Sequence, residues 1–297
     1  MVLGSAAGGG FPQWNSNAEG CRRSRAGDPA AQARTQASVA VQGAIQGEDA
    51  SWTLLNASPD LRQQIAATPE LHPTTGLRSS PISAVVLLSG EVDAIAGLLN
   101  LRERQPFTLF ATARIHAVLD ANPIFAVLAR DIVTRRVVTL EEQVALPGDL
   151  TLQLFSVSGK VALYLEGNTD NDDGDTVGAI ISQHGRSLIY IPGCAAMTPQ
   201  LRDRLRGADT VMFDGTLWTD DEMIRAGLGP KSGRRMGHMS VSGEGGTIQA
   251  FADLGVRRRI LLHINNSNPV LLDDSPERAE TEQAGWQVAF DGMQVEF

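Results

Sequence analysis

Apolar residues form runs of strand length, separated by segments whose apolar positions recur at helical spacing. The run from Ile82 to Leu88 is apolar except for Ser83, which is typical of a strand buried on both faces. In the first half, strand-like runs lie at 2–3, 37–42, 52–56, 82–88 and 108–111. Helical patterns begin at residue 61 and cover 94–103 and 114–130. This alternation predicts an α/β protein.

The second half of the chain repeats this order. Its strand-like runs lie at 152–156, 179–181, 187–191, 210–213 and 259–262, its helical patterns at 198–206 and 245–254, and a hairpin is predicted for 287–290 and 294–297. Two similar halves predict an αββα sandwich, in which two mixed β-sheets are flanked by helices. Because no Gly-, Pro- or Ser-rich linker divides it, we expect one domain over 1–297. An irregular N-terminal excursion is expected at about 12–34 and a hairpin connection at 43–50.

Charge and cysteine usage narrow the class of protein. A net charge of −9 argues against a nucleic-acid partner. The two cysteines fit a reducing compartment, with Cys194 expected to be buried and Cys21 more exposed. No apolar run approaches the ~20 residues of a membrane span, and no basic segment precedes the first apolar stretch. We therefore expect a cytoplasmic protein without membrane insertion.

Polar residues collect where the buried strands end. Glu91 and Asp93 follow one such strand, Asp214 follows another and His263 a third. Strand ends of layered α/β proteins carry ligand sites, so this set predicts a metal site or an acid–base cluster. Taken singly, each residue could also be a cap or a turn. His238, in a loop beside Gly237, could be a general acid, a ligand or a surface histidine.

Seven segments carry a family resemblance that covers essentially the whole chain. They are Gly4–Asn15, Asn56–Asp60, Phe213–Thr216, Met236–His238, His263–Pro269, Asp274–Ala279 and Phe290–Gly292. Together they resemble the coenzyme PQQ synthesis protein B family of pyrroloquinoline quinone biosynthesis. The resemblance implies a metallo-β-lactamase-like fold and two alternative activities: iron-dependent hydroxylation of a tyrosine-derived precursor, or carriage of the cofactor or its precursor toward the periplasm. A third alternative is that the protein is a tailoring enzyme of another ribosomal peptide.

The chain departs from the family pattern at two places. Family members carry three cysteines after the N-terminal tryptophan and bind structural zinc there, whereas this chain keeps only Cys21. Zinc is therefore not expected in this loop. The family's Asp-His pair is Asp93-Ala94 here, and the glycine in Pro192-Gly193 argues against a binuclear hydrolase.

The resemblance also assigns roles to the candidate residues. It implies that iron is bound by Asp93 and His263, with Glu91 as a replacement ligand. His238 and Asp214 would act as catalytic residues lining the pocket. Because Ala94 cannot bind a metal, we expect low iron occupancy. The expected partner is a small-molecule or peptide-derived precursor of the cofactor, and a homodimer is compatible with the sequence.

Overall fold

Two β-sheets form the centre of the protein in a computed structural model, which describes residues 1–43, 51–167 and 172–297. The strands of the first sheet, in their spatial order, are β1 (Val2–Gly4), β2 (Ser38–Gln42), β3 (Trp52–Leu55), β4 (Ile82–Val86), β5 (Phe107–Ala111) and β6 (Val133–Val137). Strands β1 to β3 pair antiparallel, and β3 to β6 pair parallel. The first sheet is therefore mixed.

The second sheet is also mixed. Its strands are β7 (Gln143–Leu146), β8 (Leu150–Ser156), β9 (Val177–Gln183), β10 (Arg186–Ile191), β11 (Thr210–Asp214), β12 (Arg258–Leu262) and β13 (Trp286–Val288). Strands β7 to β10 pair antiparallel, whereas β10 to β13 pair parallel. The carboxyl ends of β11 and β12 consequently reach the same edge, and this edge carries the candidate site.

Short helices cover the sheets. They are α1 (Glu19–Arg25), α2 (Leu61–Ala67), α3 (Val92–Ile95), α4 (Ala113–Ala121), α5 (Pro199–Leu205), α6 (Glu222–Arg225), α7 (Gly233–Met236), α8 (Thr247–Ala250) and α9 (Pro276–Gln283). Single 3₁₀ segments lie at Pro69–Leu71, Ala96–Leu101, Pro123–Val127, Leu163–Leu165 and Pro269–Leu271. Thr198 caps α5, because its hydroxyl accepts a hydrogen bond from the amide of Leu201.

The main hydrophobic core includes residues of both sheets. Leu54 and Val85 of the first sheet and Leu152 and Ile260 of the second are completely buried within it. The predicted fold class, two mixed sheets flanked by helices, is confirmed. Burial of this apolar surface is the main favourable contribution to folding.

The N-terminal excursion is packed more closely than its polar composition suggests. Cys21 lies on the inner face of α1 and is fully buried, together with Phe11 and Ala31. The prediction that Cys21 is exposed was therefore wrong. Two arginines follow Cys21 in the sequence, and Arg23 pairs with Asp28 and Asp274.

The C-terminal hairpin was predicted wrongly. Strand β13 ends at Val288 and pairs with β12, and residues 294–297 are not part of a strand. Asp291, in the presumed hairpin turn, instead accepts hydrogen bonds from Ser5 and Thr35. These long-range contacts decide the conformation of a turn that sequence alone assigns to a hairpin.

Three other predictions need adjustment. The strands β6 and β7 were missed because β6 carries two adjacent arginines and only one buried residue, and because β7 is short, with every second residue exposed. The helix predicted over 245–254 is limited to the single turn α8. The hairpin connection predicted at 43–50 lies, beyond Gly43, outside the described residues.

Candidate metal centre

Side chains from both sheets meet at the carboxyl ends of β4, β11 and β12. Asp93 follows β4 in α3, and His263 follows β12 directly. The Nε2 atom of His263 lies 2.9 Å from Oδ2 of Asp93. The predicted convergence of these two residues, 170 positions apart in the chain, is therefore confirmed.

Asp214 is the most deeply buried acid of the cluster. Its Oδ2 accepts hydrogen bonds from the amide of Cys194 at 2.9 Å, and its Oδ1 accepts from the Thr216 amide at 3.0 Å and the Thr216 hydroxyl at 2.6 Å. The side chain is fully buried. A carboxylate with this many donors is held in one orientation, as a buried charge requires.

His238 is positioned by the end of α7. Gly237 closes this helix with a φ of 93°, a left-handed conformation that suits glycine. The Nδ1 atom of His238 then lies 2.7 Å from Oδ2 of Asp214. In the described part of the chain, no group hydrogen-bonds to Nε2 of His238, so this nitrogen is available for a ligand or a proton.

His263 contacts both Asp93 and the ring of His238. Its ring stacks on that of His238 with the centroids 5.3 Å apart. The backbone of His263 has a φ of 58°, a left-handed conformation that is uncommon for a side chain of this size. Strain of this kind is typical of functional sites, where the surrounding structure holds it in place.

Thr216 is a central residue that sequence reasoning did not single out. Its hydroxyl lies 2.6 Å from Asp214 Oδ1, 3.1 Å from His238 Nδ1 and 2.9 Å from His263 Nδ1. One hydroxyl thus touches all three members of the cluster. The available signal was its place in the segment Phe213–Thr216, two residues after Asp214.

The surroundings of the Asp93–His263 pair favour its ionised form. Burial alone would raise the pKa of Asp93, but the hydrogen bond and charge of His263 outweigh it and lower this pKa. Burial likewise opposes the charge on His263, but Asp93 outweighs it and raises the pKa of His263. The two residues therefore stabilise each other in their ionised forms.

The ligand atoms of Asp214, His238 and His263 lie within 4.8 Å of one another, close enough to bind one metal ion. Two imidazoles and a carboxylate are a common donor set for iron and zinc. The sequence placed Asp214 and His238 in the pocket wall, whereas the structure brings both into this ligand group. The ligand roles of Asp93 and His263 remain predictions.

Glu91 lies apart from this group. Its carboxylate contacts Nζ of Lys160 at 3.0 Å and the amide of Leu163 at 3.2 Å. A carboxylate committed to an ion pair is a poor candidate for a metal ligand. The structure therefore does not bring Glu91 to the imidazoles as the sequence had suggested.

A cavity of about 890 Å³ opens onto the cluster. Asp93, His238 and His263 line it, and so does Ala94, at the position where the resemblance expects histidine. Most of the lining is apolar, which suits a ligand with an aromatic or aliphatic body.

Neither cysteine resembles a reactive thiol. Burial raises the pKa of the Cys194 thiol to about 12, so this residue is protonated near neutral pH. Cys21 lies 3.6 Å from Oδ1 of Asn266 and is also buried. The prediction that the N-terminal loop binds no zinc remains a prediction. Within the described residues, no helix is long and apolar enough to cross a membrane.

Fold and cluster together define a metallo-β-lactamase-type protein. The family model described as beta-lactamase superfamily domain matches residues 51–264. A more specific likeness extends over nearly the whole chain, which is 60% identical to coenzyme PQQ synthesis protein B of Gluconacetobacter diazotrophicus, covering 99% of this chain and 98% of that protein. The protein of the same name from Methylorubrum populi is 52% identical, over 100% of this chain and 99% of the relative. The chain belongs to the coenzyme PQQ synthesis protein B family, as its sequence motifs predicted.

A solved structure of a family member agrees with this membership. The Zn²⁺-bound PqqB of Methylobacterium extorquens is 50% identical and superimposes with a TM-score of 0.94, covering 100% of this chain and 99% of that one. A diphosphatase of the PhnP family, 22% identical, shares the fold with a TM-score of 0.69, over 100% of this chain and 96% of its own.

Proposed function

We propose that this chain acts in pyrroloquinoline quinone biosynthesis as a metal-dependent enzyme that hydroxylates a tyrosine-derived precursor. Family membership supports the pathway. The observation that carries the chemistry is the group Asp214, His238 and His263 beside a large, mainly apolar cavity. Two histidines and one carboxylate leave coordination positions open, as oxygen-activating iron sites require.

The donor set fits a divalent metal. Asp214, His238 and His263 are the residues that would hold it, with Asp93 bonded to the second nitrogen of His263. Bound iron would supply the activation of oxygen. A carboxylate that orients a ligating histidine is a frequent partner at metal sites, because it fixes the ring and raises its basicity.

The remaining steps fall to the chain's own residues. Asp214 orients the ring of His238 through Nδ1, and among the described residues nothing hydrogen-bonds to Nε2, so Nε2 is the nitrogen open to a ligand. The mainly apolar lining would receive the ring of the precursor. Ala94 lines the same cavity without offering a ligand, so we expect iron occupancy to be low in the purified protein.

The test is an oxygen-isotope experiment. Protein reconstituted anaerobically with Fe²⁺ is mixed with a tyrosine derivative, or with a peptide bearing tyrosine and glutamate, and then exposed to ¹⁸O₂. We expect one ¹⁸O atom in the product ring by mass spectrometry. His238→Gln and His263→Gln should abolish the incorporation, whereas His184→Gln, in an exposed turn, should not.

The carrier alternative gives a different result. Retention of the precursor or of the quinone without any metal-dependent oxygen incorporation would favour it over hydroxylation. Ala94 supports the carrier alternative, because it lines the cavity at the position where the resemblance expects a histidine ligand. Hydroxylation of a peptide unrelated to this pathway would instead favour the third alternative, a tailoring enzyme of another ribosomal peptide.

A further inference from the structure

The chain's lysines are concentrated at one place. Lys160 and Lys231 are the only lysines among its 25 basic residues, all the others being arginines. Both line the cavity beside the candidate metal centre. The cavity therefore contains both lysines of the chain, and every other lysine-or-arginine position is an arginine.

A carboxylate of the chain itself lies between the two lysines. Glu166 Oε1 is 3.0 Å from Nζ of Lys160, and Glu166 Oε2 is 2.5 Å from Nζ of Lys231. Each oxygen therefore accepts from one ammonium group. Lys160 additionally contacts Glu91 at 3.0 Å. In the structure the two lysines therefore already bind one carboxylate, that of Glu166.

Lys160 lies beside residues that are close in sequence to the metal centre. The stem of Lys160 crosses Gly237, where a Cβ atom would lie 3.5 Å from Cγ of the lysine. The next residue is His238. Glu91, on the other side of Lys160, is two residues from Asp93. The lysines and the two histidines line the same cavity, so a ligand held by the lysines would share that cavity with the metal centre.

We propose that Lys160 and Lys231 form a carboxylate-binding site for the substrate and that Glu166 occupies this site until the substrate displaces it. The ligand class is a small molecule with an aromatic or apolar body and at least one carboxylate. This inference deepens the proposed function, because it names the substrate chemistry of the same cavity.

Exposure makes the exchange of carboxylates feasible. The side chains of Glu166 and Lys231 are 32% and 33% exposed, and ion pairs open to solvent contribute little to stability. An ammonium group donates in three directions from a flexible stem, so it can change partners more readily than a planar guanidinium.

The surrounding charges decide where the anion binds. Glu91 and Asp93 also face this part of the cavity, and Glu91 remains with Lys160 after Glu166 leaves. The strongest attraction for an incoming carboxylate is therefore at Lys231, whose described ion pair is with Glu166 alone. Lys160 supplies the second donor.

The test measures anion binding by the full-length, metal-free protein. Chelator-treated protein is titrated calorimetrically with benzene-1,3,5-tricarboxylate and with the corresponding neutral triamide. We expect saturable binding of the tricarboxylate and weaker binding of the triamide. Lys231→Gln and Lys160→Gln should each weaken tricarboxylate binding about tenfold or more, since each removes a hydrogen bond between charged groups. Glu166→Gln should strengthen it.

Arg62→Gln is the matched control, because it removes one positive charge from an exposed site on α2. Absence of tricarboxylate binding by the unaltered protein would overturn the proposal, and so would lysine variants that bind as tightly as Arg62→Gln. If Lys160→Gln fails to fold, the more exposed Lys231→Gln decides alone. Weaker binding by Glu166→Gln would refute the displacement. Because no metal is present, failure here is distinguishable from failure of the oxygen-isotope experiment.

Discussion

Two carboxylate–histidine pairs meet at the floor of the cavity, and they are built differently. Asp214 is completely buried and bonds to two backbone amides and a hydroxyl in addition to His238. Asp93 is partly exposed, and within the described residues its side chain has one hydrogen bond, to His263. The first pair is fixed by its own sheet, whereas the second joins the two sheets. We infer that the Asp214–His238 pair is the rigid half of the site and that the Asp93–His263 pair is the adjustable half.

Replacing Asp214 should have the largest effect on stability. Asp214→Ala leaves the amides of Cys194 and Thr216 without their buried acceptor, so we expect a loss of about 3–5 kcal/mol in the free energy of unfolding. Urea denaturation measures this. Asp93→Ala should cost clearly less, because solvent reaches that side of the cluster. Equal losses would remove the distinction between the two pairs.

Restoring a ligand beside Asp93 should strengthen metal binding. The resemblance places histidine at position 94, so Ala94→His would add an imidazole to the adjustable half. Changes even in the surroundings of a metal typically alter affinity by about 10–100-fold, and we expect a gain of at least that size. Anaerobic Fe²⁺ titration of both forms measures it. Equal, tight binding would show that position 94 is no ligand and that the alignment of this motif is wrong.

The Asp93–His263 pair should give the metal-free protein a pH-dependent stability. Because the folded pKa of His263 is raised, its contribution is complete below the unfolded value near 6.5 and disappears as pH rises through the folded pKa. Because the folded pKa of Asp93 is lowered, its contribution is present above about 3.8 and is lost as pH falls through the folded pKa.

Asp93→Asn is the variant that isolates this effect. Relative to it, the unaltered protein should be more stable by about 1 kcal/mol between roughly pH 4 and 6.5, the usual net contribution of one hydrogen bond. Urea midpoints collected across pH measure the difference. A difference that grows steadily above pH 7 would contradict the assignment of a charged pair.

The sequence was a good guide to the buried strands and to the strand ends. Ile82 to Leu88, except for Ser83, and Val211 to Phe213 are apolar because both faces of these strands are covered, and local composition records that burial. The polar residue after each strand then falls at the common edge of the sheets, which is why Asp93 and His263 could be predicted to meet.

Contacts between residues that are distant in the sequence could not be predicted from local composition. Asp291 belongs to a turn in any local analysis, yet its conformation depends on Ser5 and Thr35. Thr216 carries no catalytic signature of its own, and its role follows from the three side chains around its hydroxyl. Cys21 resembles an exposed residue until α1 packs it against the loop of Asn266.

The central claim is that His238 and His263, together with Asp214, hold one metal ion. Anaerobic titration of Zn²⁺ or Fe²⁺ into chelator-treated protein tests it most directly, with His184→Gln as the matched control in an exposed turn. We predict one bound ion per chain, and a loss of affinity of at least about 100-fold in His238→Gln and in His263→Gln, because each removes a ligand. Stoichiometric binding of unchanged affinity in both variants would contradict the account.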